Sequence, residues 1–218
     1  MPIYLVLIGL PGAGKGTQAG VLSQEKGLTH LSSGDLFRDN IKRQTDLGKQ
    51  VEAIMKTGAL VPDDVTIAMV RDRLLQAEYA AGAVLDGFPR TPAQAVALNV
   101  MLGELGGKVN LVPYIKVRAE VLVERLSGRW TCKVCGAVYH QKFNPPQVAG
   151  KCDKDGSELT QRPDDKAETV KTRIEEYFKN TAPLIEHYRN QDLLVEIDGE
   201  QVIEMVTADL LNVVAKIG

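Results

Sequence analysis

Six apolar or aromatic residues, Ile3 to Ile8, run directly into Gly9-Leu10-Pro11-Gly12-Ala13-Gly14-Lys15-Gly16-Thr17, and helix-period spacing begins at Lys15. Buried strand, glycine loop and helix, in that order, is the arrangement a phosphate-binding loop requires. Glycines let successive backbone N–H groups face one anion, and the helix that follows directs the positive end of its dipole at the same place. Lys15 would reach the terminal phosphates of such a ligand. The usual pattern carries a Ser or Thr directly after the lysine; Gly16 intervenes here, so Thr17 must supply the hydroxyl one place later.

A loop of this kind sits at the carboxyl edge of a parallel sheet, and the rest of the chain is patterned for one. Short apolar runs at Ile3–Ile8, Leu28–Leu31, Ala83–Leu85, Leu111–Val117 and Leu193–Ile197 read as strands buried on both faces. Helix-period segments separate them, at Lys15–Lys26, Val65–Ala77, Pro92–Leu105, Glu120–Arg125, Ala167–Tyr188 and Val202–Lys216. This alternation predicts an α/β fold with a five-stranded parallel sheet flanked by helices. Two stretches break the rhythm. Residues 32–61 are helical and polar and end near Gly58 and Pro62, which suggests a small helical flap; residues 129–160 hold all three cysteines, Pro145, Pro146 and several glycines, which suggests a small inserted β unit. Residues 1–31, 62–128 and 161–218 would then form the core.

Asp86 closes the third expected strand, where a carboxylate stands beside the phosphate loop and could hold magnesium through water. Transfer of a phosphoryl group needs charge neutralised around the moving group and water kept away. Arg38, Arg90, Arg125, Arg129, Arg162 and Arg173, in or beside the two irregular stretches and at the ends of expected elements, could supply that charge. Each arginine taken singly is an ordinary surface residue.

Within the insert, Cys132-Lys133-Val134-Cys135 is followed, after sixteen residues, by Cys152-Asp153-Lys154-Asp155. Two ligand pairs with the same two-residue gap, each on a tight turn, can direct four donors at one ion. Three thiolates and a carboxylate suit tetrahedral zinc with a closed, structural coordination shell. Asp155 is the expected fourth ligand, with His140 the competing one because imidazole is a common zinc donor and it lies five residues after Cys135. An insert of about thirty residues cannot bury much core, so the ion should supply much of its stability. His30 and His187 lack partners at motif spacing and read as packing or surface residues.

Composition removes several other classes. Lys and Arg number 26 against 28 Asp and Glu, a formal charge of −2, so no global positive field exists to hold a nucleic-acid backbone or an anionic membrane. A zinc ribbon reading nucleic acid is the different-class alternative. Lys133, Lys142, Lys151 and Lys154 are scattered through the insert, but acidic neighbours and few stacking aromatics leave its electrostatic footprint weak. No apolar run approaches the roughly 18 residues of a membrane span, and no basic segment precedes the first one as in a secretory signal. The expectation is a cytoplasmic chain with no membrane partner. Three cysteines cannot all pair within one chain, which favours metal ligation over a disulfide framework.

Taken together, the motifs resemble the adenylate kinase family of nucleoside monophosphate kinases. Gly9 to Thr17 is similar to its nucleotide loop, including the offset threonine; Asp86-Gly87-Phe88-Pro89-Arg90 to its signature sequence; Ser33-Gly34-Asp35 with Arg38 to the start of its monophosphate flap; and Arg162-Pro163-Asp164-Asp165 to the return hinge of its lid. The resemblance covers nearly the whole chain and implies reversible phosphoryl transfer from MgATP to AMP, giving two ADP. It implies ATP contacts at Gly12, Ala13, Gly14, Lys15, Gly16 and Thr17, at Arg125 against the adenine, at Arg129, Val138 and Tyr139 from the lid, and at Gln201. It implies AMP contacts at Ser33, Arg38, Ala59, Leu60, Val61, Gly87, Phe88, Pro89 and Arg90, with Gln94 reading the base, and Arg90, Arg162 and Arg173 converging on the phosphates. Lys15, Arg90, Arg125, Arg162 and Arg173 would carry catalysis. Asp164 and Asp165 would pair with lid arginines on closure. Members with a metal-bearing lid resemble residues 129–160, some with a fourth cysteine and some with aspartate at the position of Asp155. A monomer is implied. Kinases for UMP, CMP or GMP, or with GTP as donor, are the neighbouring alternatives, and Gln94 with the metal-bearing lid favours AMP and ATP.

Overall fold

The computed structural model describes residues 1–217. In chain order its elements are β1 (Ile3–Leu7), α1 (Lys15–Lys26), β2 (Thr29–Ser32), α2 (Ser33–Lys42), α3 (Asp46–Thr57), α4 (Asp63–Leu74), β3 (Gly82–Asp86), α5 (Pro92–Glu104), β4 (Val109–Lys116) and α6 (Ala119–Ser127). There follow β5 (Arg129–Cys132), β6 (Val138–His140), β7 (Leu159–Thr160), α7 (Ala167–Glu176), α8 (Pro183–Arg189), β8 (Leu194–Asp198) and α9 (Ile203–Val214).

The five strands expected from apolar runs form one sheet, in the order β2-β3-β1-β4-β8, and every pairing in it is parallel. Parallel neighbours require long crossovers, and the intervening helices supply them. Successive side chains point to opposite faces of a strand, so the apolar runs feed two cores at once. Tyr4, Val6, Ile8, Ala83 and Leu85 join one cluster, with α4, α5 and α8; Leu5, Leu7 and Val84 join the other, with α1 and α9. Side chains at helix starts fix several of these crossovers. Ser32 accepts from the Asp35 N–H at the start of α2, Thr45 from Gly48 at the start of α3, and Thr91 from Gln94 at the start of α5, satisfying backbone donors that a helix leaves free.

The segment expected as one helix from Ala167 to Tyr188 is divided. After α7 the chain widens into a π-helical turn at Tyr177–Thr181, and α8 begins at Pro183. Proline has no N–H and its ring crowds the carbonyl four residues earlier, so an uninterrupted α-helix through position 183 is disfavoured. The Ala182 N–H instead donates five residues back, to Tyr177 O at 2.9 Å. The wider turn also lets Thr181 Oγ1 donate to Arg90 O at 2.9 Å, tying α7 and α8 to the strand-end loop after β3.

Residues 32–61, expected to be helical, contain α2 and α3. The cysteine-bearing stretch forms a second sheet, three antiparallel strands in the order β6-β5-β7. Its apolar interior is small: Cys132, Tyr139, Cys152 and Leu159 are buried, with Trp130 and Ala137 packed against them. No helix among the described residues is long and apolar enough to cross a membrane.

Candidate active site and metal site

Register in the parallel sheet sets the site. Leu7 of β1 and Ser32 of β2 both pair with Asp86 of β3, so the glycine loop, the start of α2 and this carboxylate leave the sheet at one edge. Gly14 caps α1 with a left-handed backbone, φ 95°, a conformation that a side chain at this position would strain. The Lys15 ammonium folds back across the loop, donating to Gly9 O at 2.7 Å and Leu10 O at 3.0 Å. Burial pushes its pKa down to about 8, opposed by Asp86 and reinforced by Arg90, Arg173 and Arg129. Thr17 lies exposed on the first turn of α1.

The Asp86 carboxylate lies against that same turn, 3.3 Å from where a Cβ on Gly16 would stand. Burial would raise its pKa, but His30, Lys15 and Arg90 together hold it below the usual carboxylate range. His30, expected to be an ordinary packing or surface residue, faces it with Nε2 3.7 Å from Asp86 Oδ2. Only the pairing of β2 with β3 brings these two together, and that pairing has no mark in the local sequence.

Beside the loop, a cleft opens between α2, α3 and the turn after β3. Of the residues expected to hold the second nucleotide, Ser33, Arg38, Ala59, Leu60, Val61, Gly87, Arg90, Gln94 and Arg173 line it. Phe88 is buried in the core, 1% exposed, and Arg162 stands apart, donating through Nε to Thr131 Oγ1 at 3.1 Å. Gly87 makes the close approach possible. Its φ is 75°, and a Cβ there would meet Arg90 Nη2 at 2.8 Å and Ser33 Oγ at 2.9 Å. Ser33 Oγ and Arg90 Nε instead both donate to Gly87 O, at 2.7 and 2.9 Å.

Gln94 is 1% exposed and its amide is pinned at both ends. Oε1 accepts from the Arg90 N–H at 2.7 Å, while Nε2 donates to Asp63 Oδ1 at 2.7 Å; Thr91 Oγ1 donates to the other Asp63 oxygen at 2.8 Å. Asp63, at the start of α4, is a site residue that sequence reasoning missed. Nothing nearby in the sequence marks it beyond an acidic residue after Pro62, an ordinary way to begin a helix.

The arginines gather over this edge in two states. Arg129 Nε donates to Asp165 Oδ2 at 2.7 Å, and its Nη2 bonds Asp165 Oδ1; Arg173 Nη1 reaches the same carboxylate at 3.0 Å. Asp165 is fully buried between them. It therefore does pair with an arginine of the insert, as expected, whereas Asp164 takes Arg173 of α7, at 3.1 Å. By contrast Lys15, Arg90 and Arg162 bond only carbonyl or hydroxyl oxygens among the described residues. Burial pushes Arg90 down to about 10, with Arg173 and Arg38 adding to it, and Arg162 down to about 9, with Arg38 and Arg129 adding to it; both remain cationic at neutral pH. Nearby carboxylates, Asp86 for Lys15 and Arg90 and Asp35 and Asp164 for Arg162, offset only part of this burial, and an anionic ligand would relieve the rest.

On the far side of the loop, Arg125 Nη1 donates to Gly199 O at 2.9 Å and its guanidinium lies 5.7 Å from the Phe143 ring. Val138 is exposed. Tyr139 turns inward, its hydroxyl 3.5 Å from Cys152 Sγ and accepting from the Asp153 N–H at 2.8 Å. Gln201 Nε2 donates to Asp209 Oδ2 at 2.9 Å and to Asp198 O at 3.2 Å. Lys42 at the end of α2 donates to Lys133 O at 3.2 Å, so the helical flap and the cysteine turn touch above the cleft.

Cys132, Cys135, Cys152 and Asp155 each offer one ligand atom, all within 4.8 Å of one another. Cys135 Sγ lies 3.5 Å from Cys152 Sγ, and Cys132 Sγ lies 3.3 Å from Asp155 Oδ2. A tetrahedral ion with metal–sulfur bonds near 2.3 Å has edges of about 3.8 Å, so the donor set fits one with small adjustment. His140 is engaged elsewhere: its Nδ1 accepts from the N–H groups of Lys142 and Phe143 at 3.0 and 3.1 Å. Ser157, which sequence reasoning did not single out, stands beside the ligands. Its N–H donates to Asp155 Oδ1 at 2.9 Å, and its hydroxyl bonds that oxygen and lies 2.9 Å from Cys132 Sγ. These contacts hold the Asp155 carboxyl well below its usual range. Burial would raise the Cys132 thiol, but Ser157 and the N–H groups of Cys135 and Val134 bring it down to about 7.

A glycine loop at the carboxyl edge of a parallel sheet, beside a cleft lined by Arg38, Arg90 and Arg173, defines a phosphate-binding-loop protein. Comparison with known sequences narrows the class. The sequence model of the family described as adenylate kinase matches residues 7–193. Proteins named adenylate kinase from Brevibacillus brevis, Symbiobacterium thermophilum and Moorella thermoacetica are 51%, 49% and 52% identical to this chain, over 94%, 97% and 93% of its length and 96%, 98% and 93% of theirs. The chain belongs to the adenylate kinase family.

Proposed function

We propose the following division of labour for the reaction of this enzyme, the reversible transfer of the γ-phosphoryl group of ATP to AMP, giving two ADP. An oxygen of the AMP phosphate attacks the γ-phosphorus as the bond to the bridging β,γ-oxygen breaks. The protein's task is therefore position and charge, with no covalent nucleophile. The backbone from Gly12 to Thr17 receives the ATP phosphates, and Lys15, already held over the loop by two carbonyls, exchanges those contacts for phosphate oxygens. Magnesium accompanies ATP and neutralises charge on its phosphates when bound; Asp86, kept ionised at the edge of α1, would hold it through water.

On the acceptor side, Arg38 and Arg90 take the AMP phosphate, and Arg162 and Arg173 join them around the transferring group. The observation that carries this reading is the buried positive charge of Lys15 and Arg90, which share the single carboxylate Asp86, beside a cleft that Arg38, Arg90 and Arg173 line. Gln94 supports adenine as the acceptor base. Each end of its amide is engaged once by protein, which leaves one N–H and one lone pair free, the complement of the N1 acceptor and N6–H donor of adenine.

Residues 32–61 and 129–160 act as two mobile covers over the core formed by 1–31, 62–128 and 161–218. Their closure excludes water, the competing acceptor. The contacts Arg129–Asp165 and Lys42–Lys133 are ones that closure would make. From the lid, Arg129 and the backbone of Val138 and Tyr139 reach ATP, while Arg125 lies against its adenine with Gln201 nearby. The ion at Cys132, Cys135, Cys152 and Asp155 is zinc, with a structural role, since four protein donors leave no open position. A coupled assay of ADP formation from MgATP with AMP, UMP, CMP and GMP in turn tests the assignment. The expected result is turnover with AMP at least about a hundredfold above the others, the scale on which a site built for paired polar groups rejects mismatched ones. Comparable rates with UMP or CMP would overturn the acceptor assignment.

A further inference from the structure

Beyond phosphoryl transfer, we propose that the cysteine insert carries an oxidation site: a hydroperoxide converts Cys135 and Cys152 into a disulfide, the bound ion leaves, and Cys132 is spared. The sequence motif alone would favour a bond within Cys132-x-x-Cys135, the spacing of many redox pairs. The geometry points elsewhere. Cys135 is the exposed thiol of the three, while Cys132 and Cys152 are each 3% exposed. The Cys135 and Cys152 sulfurs are 3.5 Å apart, on two different turns. Cys132 Sγ is close to Cys135 as well but is buried and occupied by other partners, Ser157 Oγ at 2.9 Å, the N–H groups of Val134 and Cys135 at 3.3 Å each, and Asp155 Oδ2 at 3.3 Å, which shield it from the oxidant.

The step balances with a hydroperoxide as the only oxidant. The Cys135 thiolate attacks the O–O bond and takes the terminal oxygen as a sulfenic acid, and the other oxygen leaves as an alcohol, or as water from hydrogen peroxide. The Cys152 thiolate then displaces hydroxide from the Cys135 sulfur, forming the S–S bond, and the hydroxide takes a proton and leaves as water. Two thiolates lose two electrons, the peroxide gains two, and two protons are consumed. Losing two of four donors leaves Cys132 and Asp155, too few to keep the ion against water and competing chelators. The new covalent bond joins the same two turns the ion had joined. The oxidised insert should therefore stay more ordered than the reduced, metal-free one.

The test treats the full-length metal-loaded protein with hydrogen peroxide in small excess and keeps its chelator-stripped form reduced for comparison. Remaining thiols are alkylated, and the protein is digested without reduction for peptide mapping. The expected result in the loaded form, where ligation would keep Cys135 deprotonated, is a Cys135–Cys152 linked peptide with Cys132 alkylated, reversed by dithiothreitol. In the loaded form one ion, read with a chromogenic chelator, should be released per disulfide. Cleavage within 129–160 by a protease should be slower for the oxidised protein than for the reduced, stripped one. A Cys132–Cys135 linkage would overturn the proposal, as would Cys135 found as sulfinic acid beside an alkylated Cys152, or all three thiols still alkylatable. Cys132→Ser should keep the cross-link; because that variant lacks a ligand and could unfold, the wild-type map decides alone. ADP formation is assayed separately, so the phosphoryl-transfer assignment stands or falls independently.

Discussion

The central parallel sheet and the small antiparallel sheet of the insert hold themselves together by opposite means. The central sheet buries Leu5, Val6, Val84, Leu85 and Val112 at 0% exposure and packs them into two clusters against helices on both faces. Each fully buried aliphatic side chain contributes about 1.5–3 kcal/mol, so the scaffold under the glycine loop needs no ligand to be ordered. The insert buries four residues, and two of these, Cys132 and Cys152, are candidate metal ligands. On the proposed assignment, a coordination sphere would serve as core there. One region would then be ordered before its ligand arrives, the other because of it.

That contrast is sharpest if chemistry and folding can be lost separately. Lys15→Met removes the charge over the loop and leaves the apolar layers untouched. ADP formation should fall by about a thousandfold, the upper scale for losing one preorganised electrostatic contact, with the thermal unfolding midpoint at neutral pH raised, because the buried ammonium that costs stability is gone. A large loss of stability would mean that the loop helps to hold the sheet together. The opposite experiment is Asp155→Ala, or chelation of the parent protein. Metal affinity should drop by about a hundredfold or more, since a coordinating group is lost rather than one of its outer partners. Protease cleavage should then appear within 129–160 while the central sheet still unfolds cooperatively at its former midpoint. Simultaneous melting of both sheets would break the comparison.

The two regions were also unequally legible in the sequence. Strands buried on both faces are continuous apolar runs, and a phosphate loop fixes the strand before it and the helix after it, so all five parallel strands and α1 stand where their patterns place them. Helix periodicity could not reveal the π-helical turn at Tyr177–Thr181, because one extra residue per turn hardly disturbs a 3.6-residue spacing; Pro183 was the available signal. The four candidate metal ligands follow from spacing, but Ser157 does not. A serine after a glycine is an ordinary turn residue until the fold shows its hydroxyl between Asp155 and Cys132. Asp63 behind Gln94 and His30 beside Asp86 were hidden for the same reason: each contact is made across elements that only tertiary packing brings together.

Ser157 offers a finer probe of the insert. Ser157→Ala keeps all four donors and removes the hydroxyl that orients one carboxylate oxygen and touches one sulfur. Metal affinity, measured by chelator competition, should weaken about tenfold, the lower end of the range for outer-shell partners, and Ser157→Thr should restore part of it. No change on Ser157→Ala would show that the backbone N–H to Asp155 suffices to orient it.

The smallest effect separates the regions by its sign. Burial lowers Lys15 to about 8, from an ordinary value of 10.5. A native pKa below the unfolded one means that the folded state releases this proton first. Lys15 therefore costs stability below pH 8, and that cost is relieved as pH rises from about 8 toward 10.5. Nucleotide binding runs the other way, because phosphate oxygens favour the ammonium. ATP affinity, measured calorimetrically, should be flat from pH 6.5 to about 7.5 and decline above 8, by less than tenfold per pH unit. Lys15→Arg should flatten that limb, since a guanidinium stays charged throughout. At the metal site the thiols must shed protons before they can ligate, so metal affinity should rise over the same interval. Affinities that moved in the same direction with pH at both sites would mean that the two are not the independent charge systems their separate cores indicate.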